Sequence, residues 1–217
     1  MNDKKNPAIC IASDSEMSEL FILNIIKYLI NNGADINVQD GFTRSPLTLA
    51  TRKTSVEIVS YLLSNGANLF LKYCNANNGQ QETALCIAYI NYIAAKRSGR
   101  EDVSFVKKKI CLDIVLQAVA NHLYLNGLYK NDPVTYVSNA IENLCGNFTR
   151  EWSNSSELKI FLDEEIKPVV LTQIEASCTF LKGSKSVNST LYNFFHSDGS
   201  RSVTQEIFSF VMPTLKN

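Results

Sequence analysis

The sequence predicts an all-α fold in which helix–turn–helix units stack into a solenoid, and three observations lead to this prediction. The tripeptide Asn-Gly-Ala occurs twice, and its glycines, Gly33 and Gly66, lie 33 residues apart. Before each glycine, apolar residues recur close to the i, i+3, i+4, i+7 spacing of a buried helix face. Three related stretches also recur along the chain: PAICIA at 7–12, SPLTLA at 45–50 and TALCIA at 83–88. A fixed period of this size with helical spacing indicates stacked repeats.

The related stretches predict the first helix of each unit, which we call the inner helix. Ser45 is a suitable N-cap because its hydroxyl can accept a bond from an unpaired backbone N–H, and Pro46 suits the first helical position since it lacks an N–H. Ala12, Ala50 and Ala88 occupy the same register. A small side chain at this register lets neighbouring inner helices pack closely, so a bulky residue is expected to clash there.

The second helix of each unit, the outer helix, is predicted from the apolar residues that precede each glycine. These residues are Val56, Ile58, Val59, Leu62 and Leu63 in the second unit and Leu23, Ile26, Leu29 and Ile30 in the first. Such a face needs a neighbouring unit to cover it. Gly33 and Gly66 are expected to end the outer helices, because glycine adopts the left-handed conformation after a helix at least cost.

Together with the segment VEIVSYLLSNGAN, these stretches resemble the ankyrin repeat, whose unit is a turn followed by two antiparallel helices. The resemblance covers about residues 5–127. It implies a domain of ankyrin repeats at 1–127, with repeats at about 5–38, 39–71 and 72–127. Residues 128–217 are then predicted to form a helical C-terminal capping or accessory region.

The copies depart from the family pattern at several positions. Five extra residues in the first repeat are expected between its two helices, around 13–18, and a second insertion lengthens the turn at 71–82. Thr43 stands where the family usually has glycine, and Thr48 and Cys86 stand where it usually has histidine. These replacements are expected to weaken hydrogen bonding in the turns but not the pairing of the helices.

The third repeat is predicted to be overgrown. Its inner helix continues through YINYIAAK, and its outer helix is expected to span 102–127. The predicted buried face of that helix consists of Phe105, Ile110, Ile114, Val115, Ala118, Val119 and Leu123. This length indicates a helix that packs against something other than another repeat.

The C-terminal region is predicted to remain helical and to close the end of the solenoid, since a stack of repeats requires a cap. Asp132 and Pro133 are expected to start a helix that ends at Gly146, and the next helices are expected to break or kink at Pro168. A last helix at 203–212 resembles the C-terminal F-box-like segment of some ankyrin proteins of viruses and intracellular bacteria. The residues that carry this resemblance are Glu206, Ile207, Phe208, Phe210 and Val211.

Composition and charge exclude several classes of function. Lys plus Arg equals Asp plus Glu at 21 each, so no net charge attracts nucleic acid or an anionic membrane. No apolar run is long enough to span a bilayer, and acidic residues precede any such run, which predicts no signal peptide and a cytoplasmic protein. The six cysteines lack metal-binding spacing, which indicates reduced thiols and no metal or cofactor. The one nucleophilic pair that can be imagined is Cys145 with His196, while His122 is expected at a core boundary.

The ankyrin resemblance implies a concave surface of turn tips and inner helices that binds another protein. The candidate partner-binding residues are Gln39, Phe42, Arg44, Arg52, Lys53, Tyr73, Asn77 and Gln80. Phe42 and Tyr73 are the expected anchors, because rigid aromatic side chains bury a large area at low entropic cost. The alternative is that Phe42 packs within its own turn and the insertion is idle. A basic patch formed by Lys96, Arg97, Arg100, Lys107, Lys108 and Lys109 could hold an acidic partner or be a solvated helix face.

The sequence therefore predicts a monomeric, non-enzymatic module that binds a protein partner. The alternative is a secreted effector or ubiquitin-ligase adaptor of an intracellular bacterium or virus, acting in the host cytoplasm, whose helical tail binds a second partner. A Cys-dependent enzyme in the C-terminal region is the third possibility.

Overall fold

A computed structural model describes residues 7–74, 81–99, 102–128, 130–145 and 153–175. The chain forms two compact units, residues 1–171 and 172–217. Of the second unit the structure describes only 172–175, which are helical. The architecture below is that of the first unit.

Three helix pairs form the stack. They are α1 (Ala8–Ser13) with α2 (Glu19–Asn31), α3 (Pro46–Arg52) with α4 (Val56–Ser64), and α5 (Ala84–Arg97) with α6 (Val103–Gly127). Among the inner helices, α3 packs between α1 and α5, and among the outer helices α4 packs between α2 and α6. This order confirms the predicted all-α arrangement of stacked inner and outer helices.

The residues that start and align the inner helices lie as predicted. Ser45 accepts a hydrogen bond from the backbone N–H of Thr48 at the start of α3, with Pro46 at the first helical position. Ala12, Ala50 and Ala88 are all buried. Their burial confirms the register in which small side chains let the inner helices pack closely.

Two glycines end the outer helices as predicted. Gly33 has φ 84° and Gly66 has φ 87°, the left-handed conformation that favours glycine. The following alanine N–H groups bond back across the turn, from Ala34 to the carbonyl of Leu29 and from Ala67 to that of Leu62, both at 3.0 Å. This 6→1 pattern pairs carbonyl groups that would otherwise be orphaned at the helix ends.

The two insertions differ in form. In the first repeat most of the surplus lengthens α2, which has 13 residues against 9 in α4, rather than lying between the helices around 13–18 as expected. The periodic run before Gly33 is apolar enough to continue the helix, which the residue count alone could not show. In the third repeat the lengthened turn forms a hairpin, in which β1 (Tyr73–Cys74) pairs antiparallel with β2 (Gln81–Glu82).

The overgrown α6 is confirmed, with 25 residues, but its buried face differs from the predicted one. Ile110 is exposed, while Cys111, Leu112 and Leu116 are buried. The reason is that α6 packs against α4, α5 and the helix that follows it, so its buried stripe is wider and centred about one residue further along.

The next helices are α7 (Pro133–Cys145) and α8 (Ser153–Phe161). The carboxylate of Asp132 accepts a bond from the N–H of Thr135, at 3.1 Å, which confirms Asp132 as the cap of α7. Hydrogen bonding from the side chain of Thr135, and then from its backbone N–H, holds the pKa of Asp132 below its usual value. α7 packs on α5 and α6, and α8 packs on α5 and α7.

The helix that contains Pro168 is continuous, so the expected break at this residue is absent. Residues Leu162–Ile166 form a π-helical segment, and residues 167–171 are helical again. Proline lacks an N–H and its ring crowds the carbonyl four residues earlier, so a wider turn before it avoids both problems. Leu158, Leu162, Ile166 and Val170 stay buried through this segment. No helix of the described ranges is both long and apolar enough to cross a bilayer.

Several predicted features lie outside the described residues. These are the turn residues Asn77 and Gln80, the basic residue Arg100, the expected helix end Gly146, His196, and the F-box-like residues Glu206, Ile207, Phe208, Phe210 and Val211.

Candidate protein-binding surface

The second turn, residues 39–45, is organised by the buried carboxylate of Asp40. Its Oδ1 accepts hydrogen bonds from the backbone N–H groups of Phe42 and Arg44, at 2.9 and 2.8 Å, and its Oδ2 accepts from Arg44 Nε at 2.7 Å. The backbone N–H of Asp40 donates to the carbonyl of Arg44, which closes the turn. A buried charge is stable only when it is paired, so Asp40 depends on Arg44.

Arg44 was predicted to bind a partner, and the structure places it in the framework of the turn. Its guanidinium lies 2.7 Å from Asp40 Oδ2 and 3.4 Å from Asp14 Oδ2, on the loop after α1. The two carboxylates therefore occupy most of its hydrogen-bonding capacity. Arg44 holds the second turn against the first repeat.

Phe42 lies at the tip of this turn with 62% of its surface exposed. The guanidinium carbon of Arg44 lies 5.2 Å from the centre of its ring, within cation–π distance. Phe42 is therefore not packed within its own turn, which was the alternative. One face of its exposed ring contacts the guanidinium of Arg44, and Asp40 holds that guanidinium in place.

Thr43 takes the conformation that the family pattern assigns to glycine. Its φ is 61°, which is costly for a β-branched residue. Its hydroxyl accepts a bond from the N–H of Cys74 at 3.0 Å, and Gln39 Nε2 donates to the carbonyls of Thr43 and Lys72, at 2.6 and 3.0 Å. Thr43 and Gln39 thus join the second turn to the third-repeat hairpin. These bonds compensate for the weaker hydrogen bonding that was expected when threonine replaces glycine in the turn.

Lys53 also joins repeats together. Its ammonium donates to the carbonyls of Asp14 and Ser15, at 2.6 and 2.8 Å, and to Glu16 Oε1 at 2.7 Å. The bond from Lys53 lowers the pKa of Glu16. Arg52, the preceding residue, is exposed in the last turn of α3. Of these two predicted cations, Arg52 presents the accessible side chain.

Tyr73, an expected anchor for a partner, is buried, so the exposure that this role requires is absent. Only 6% of its surface is exposed, and its hydroxyl donates to Glu82 Oε2 at 2.7 Å. Burial, together with the bond to Glu82, raises the pKa of Tyr73. Because Tyr73 and Glu82 are paired across the hairpin, the ring closes the base of the hairpin and cannot anchor a partner.

The predicted basic patch is divided among several partners. Arg97 lies 3.5 Å from Glu157 Oε2, and Lys107 lies 3.9 Å from Glu19 Oε2. Lys96 Nζ lies 5.9 Å from the centre of the Tyr92 ring. These contacts favour the reading of the run as a solvated helix face.

The conjectured nucleophile Cys145 is buried, and burial raises its pKa to about 12. A thiol with that pKa is almost wholly protonated at neutral pH and is a poor nucleophile. The cysteines of the described ranges are free thiols, and those ranges hold no cluster of potential metal ligands.

One feature was not predicted from the sequence. A groove of about 830 Å³ lies between the loop after α4 and the outer flank of α6. Its lining includes Asn68, Phe70, Gln117 and His122, and the rings of Phe70 and His122 are 4.8 Å apart. Burial lowers the pKa of His122, which lies at a core boundary as expected. The groove exists because α6 extends far beyond the length of α4, a relationship visible only in three dimensions.

Stacked helix pairs with turns projecting along one edge define a repeat scaffold of the kind that presents a surface to other proteins. A family model for ankyrin repeats, in three copies, matches residues 7–103. This part of the chain is therefore an array of ankyrin repeats, as the resemblance implied.

The chain is also similar to parts of two known proteins. A segment of 45 residues is 56% identical to the human transient receptor potential cation channel subfamily A member 1, covering 21% of this chain and 4% of the channel subunit. Among solved structures, a chain from the complex of a predatory endopeptidase of Bdellovibrio bacteriovorus with an immunity protein aligns with a TM-score of 0.31 and 20% identity. That alignment covers 76% of this chain and 97% of the other.

Proposed function

We propose that the protein is a non-enzymatic binding module whose partner protein contacts the turn and inner-helix surface around Phe42. Ankyrin repeats imply a protein–protein interaction module. The observation that carries the location is the exposed Phe42 ring, supported by Arg44, which Asp40 in turn fixes. A preorganised aromatic side chain loses little entropy on binding and is the type of residue that dominates interface energetics.

Arg52 supplies the second element of the proposed site. It is exposed on α3, the inner helix that starts directly after the turn that carries Phe42. The bonds described above join neighbouring turns through Gln39, Arg44 and Lys53, and so hold this surface in place. The partner that suits this arrangement offers an apolar group to Phe42 and a carboxylate or carbonyl oxygen to Arg52.

The C-terminal helices α7 and α8 act as the cap of the stack in this proposal. α7 packs on α5 and α6, and α8 packs on α5, so both helices contact the last repeat, where a fourth repeat would otherwise be needed. The hydroxyl of Thr83 and the thiol of Cys86 both donate to the carbonyl of Leu144, at 2.8 and 3.3 Å. The end of α7 therefore lies beside the start of α5.

The experiment is a quantitative comparison of proteins captured from a lysate by four forms of the full chain: wild type, Phe42→Ala, Arg52→Ala and Ile160→Ala. Ile160 is an exposed apolar residue on α8, outside the turn surface, and serves as the control. The proposal expects a protein that wild type and Ile160→Ala retain and that Phe42→Ala loses, with Arg52→Ala weaker than wild type. Equal capture by all four forms would remove the turn surface as the site.

A further inference from the structure

Within the part of the chain that the structure describes, one face of the first repeat is not covered by another helix. Among the described residues, α1 and α2 have helices of the second repeat on one side, whereas α3 and α4 have a repeat on both sides. In a stack of repeats the uncovered side of the first unit is a terminal face, which is usually polar. Here it is apolar.

Equivalent positions on the three inner helices show the difference. Ile11, Leu49 and Ile87 stand directly before Ala12, Ala50 and Ala88. Leu49 and Ile87 are 1% and 5% exposed, but Ile11 is 57% exposed. Each inner helix has a packed neighbour on its C-terminal side, so the exposure of Ile11 marks the N-terminal side of α1.

The outer helix α2 continues this face. Two of its contacts to the second repeat are made by Lys27 and Glu19: Lys27 lies 5.5 Å from the ring centre of Tyr61, and Glu19 accepts from the N–H of Glu57 at 3.3 Å. Phe21, Ile25 and Tyr28, spaced four and three residues apart, form a stripe on the other side of α2. Ile11, Phe21, Ile25 and Tyr28 are called the N-terminal face below.

The second repeat shows which contacts the corresponding residues make when another repeat covers them. Counting back from Gly66 and Gly33, Tyr61 corresponds to Tyr28 and Ile58 to Ile25. Tyr61 receives the ammonium of Lys27, and Ile58 is buried. Tyr28 is 68% exposed, and within the described ranges no cation lies over its ring. The N-terminal face therefore has the same types of residue as the face of the second repeat that packs against the first, but no described helix covers it.

We propose that the N-terminal face is a docking surface for the C-terminal face of an ankyrin-type helix pair from a partner chain, with a Lys or Arg placed over Tyr28. The complementarity is that of the existing contact between the first two repeats, in which apolar residues cover the helices and one cation covers the tyrosine. A second copy of this chain does not fit as the occupant, because α7 and α8 already pack on its last repeat.

The fit can be tested by inserting an additional copy of residues 8–45 directly before Ala8 in the full chain. The inserted repeat places its own C-terminal face, including its Lys27, against the native N-terminal face and presents the same terminal face as before. The matched control carries Lys27→Glu in the inserted copy. Tyr28→Phe in the inserted copy of both forms lets mass mapping follow only the native Tyr28.

The proposal expects the melting temperature to rise by about 4 °C or more and the native Tyr28 to be protected from nitration at least several-fold, with a smaller rise in the Lys27→Glu control. If the insertion destabilises the chain, a larger loss in the control still supports the docking contact. Equal melting temperatures for the two forms, with Tyr28 nitrated as fast as in the unmodified chain, overturn it. Sedimentation of the unmodified chain as a dimer that Ile11→Asp dissociates would also overturn it, since the occupant would then be a second copy.

Discussion

The hydroxyl of Thr83 donates to the backbone carbonyl of Leu144, 2.8 Å away and 61 residues further along the chain. Thr83 is also the N-cap of α5, and its oxygen accepts from the N–H of Cys86 at 3.5 Å. One buried side chain therefore caps the last inner helix and pairs a carbonyl group at the end of α7. Carbonyl groups at a helix end have no partner within the helix, so burying one requires a donor from elsewhere.

Replacing Thr83 by Val should destabilise the protein by about 1–3 kcal/mol, because the hydroxyl is lost and the carbonyl of Leu144 stays buried. Cys86 provides a partial substitute, which places the expected value toward the lower end. The measurement is urea unfolding of Thr83→Val against Thr83→Ser, which keeps the hydroxyl. Equal unfolding midpoints for the two variants would show that the hydrogen bond does not hold the cap.

Ala50→Leu should destabilise the fold by about 1–3 kcal/mol, because overpacking at a fully buried inner-helix contact forces the helices apart. Ala94→Leu is the control, since Ala94 is an exposed alanine within α5. Thermal unfolding of both variants checks the register. An unchanged melting temperature for Ala50→Leu would contradict the packing of α3 between α1 and α5.

Features fixed by local conformation could be predicted from the sequence. Gly33 and Gly66 end helices because of their own backbone freedom, and Ser45 caps α3 through a bond to a residue three positions away. The presence of the helices could be predicted for the same reason, because a periodic apolar face and a cap both lie within about ten consecutive residues.

Features that depend on a distant partner could not be predicted. Lys53 looks like a free surface cation in the sequence, but the residues that accept its bonds lie in the loop after α1, about 40 positions earlier. Arg44 is held by one local carboxylate, Asp40, and by one in that same distant loop, Asp14. Tyr73 looks like an anchor until Glu82 is placed opposite it by the hairpin register. Ile110 was misplaced because α6 packs on three helices, which shifts its buried stripe. Of the candidate site, the turn with Phe42 stays exposed as expected.

Tyr73→Phe should destabilise the protein by about 1–3 kcal/mol, because a buried carboxylate loses a donor while the ring remains. Phe42→Ala should change stability by no more than about 0.5 kcal/mol, since its ring is exposed at the turn tip. Chemical unfolding of the two variants side by side separates an aromatic that serves the fold from one that is free for binding. A greater loss from Phe42→Ala would reverse these roles.

His122 should make the stability of the protein depend on pH. Burial lowers its pKa below the ordinary value of 6.5, so the folded state favours the neutral imidazole against the ring of Phe70. A histidine with a lowered folded pKa contributes stability that is fully present above its unfolded pKa and is lost as the pH falls through that value and then through the folded pKa.

His122→Phe keeps an aromatic ring beside Phe70 and removes the titration. The free energy of unfolding, measured from pH 7.5 to pH 5, should therefore fall more for wild type than for His122→Phe. His196→Phe is the control, because it removes the only other histidine of the chain. If its profile, and not that of His122→Phe, departs from wild type, the acid sensitivity does not come from the buried imidazole beside Phe70.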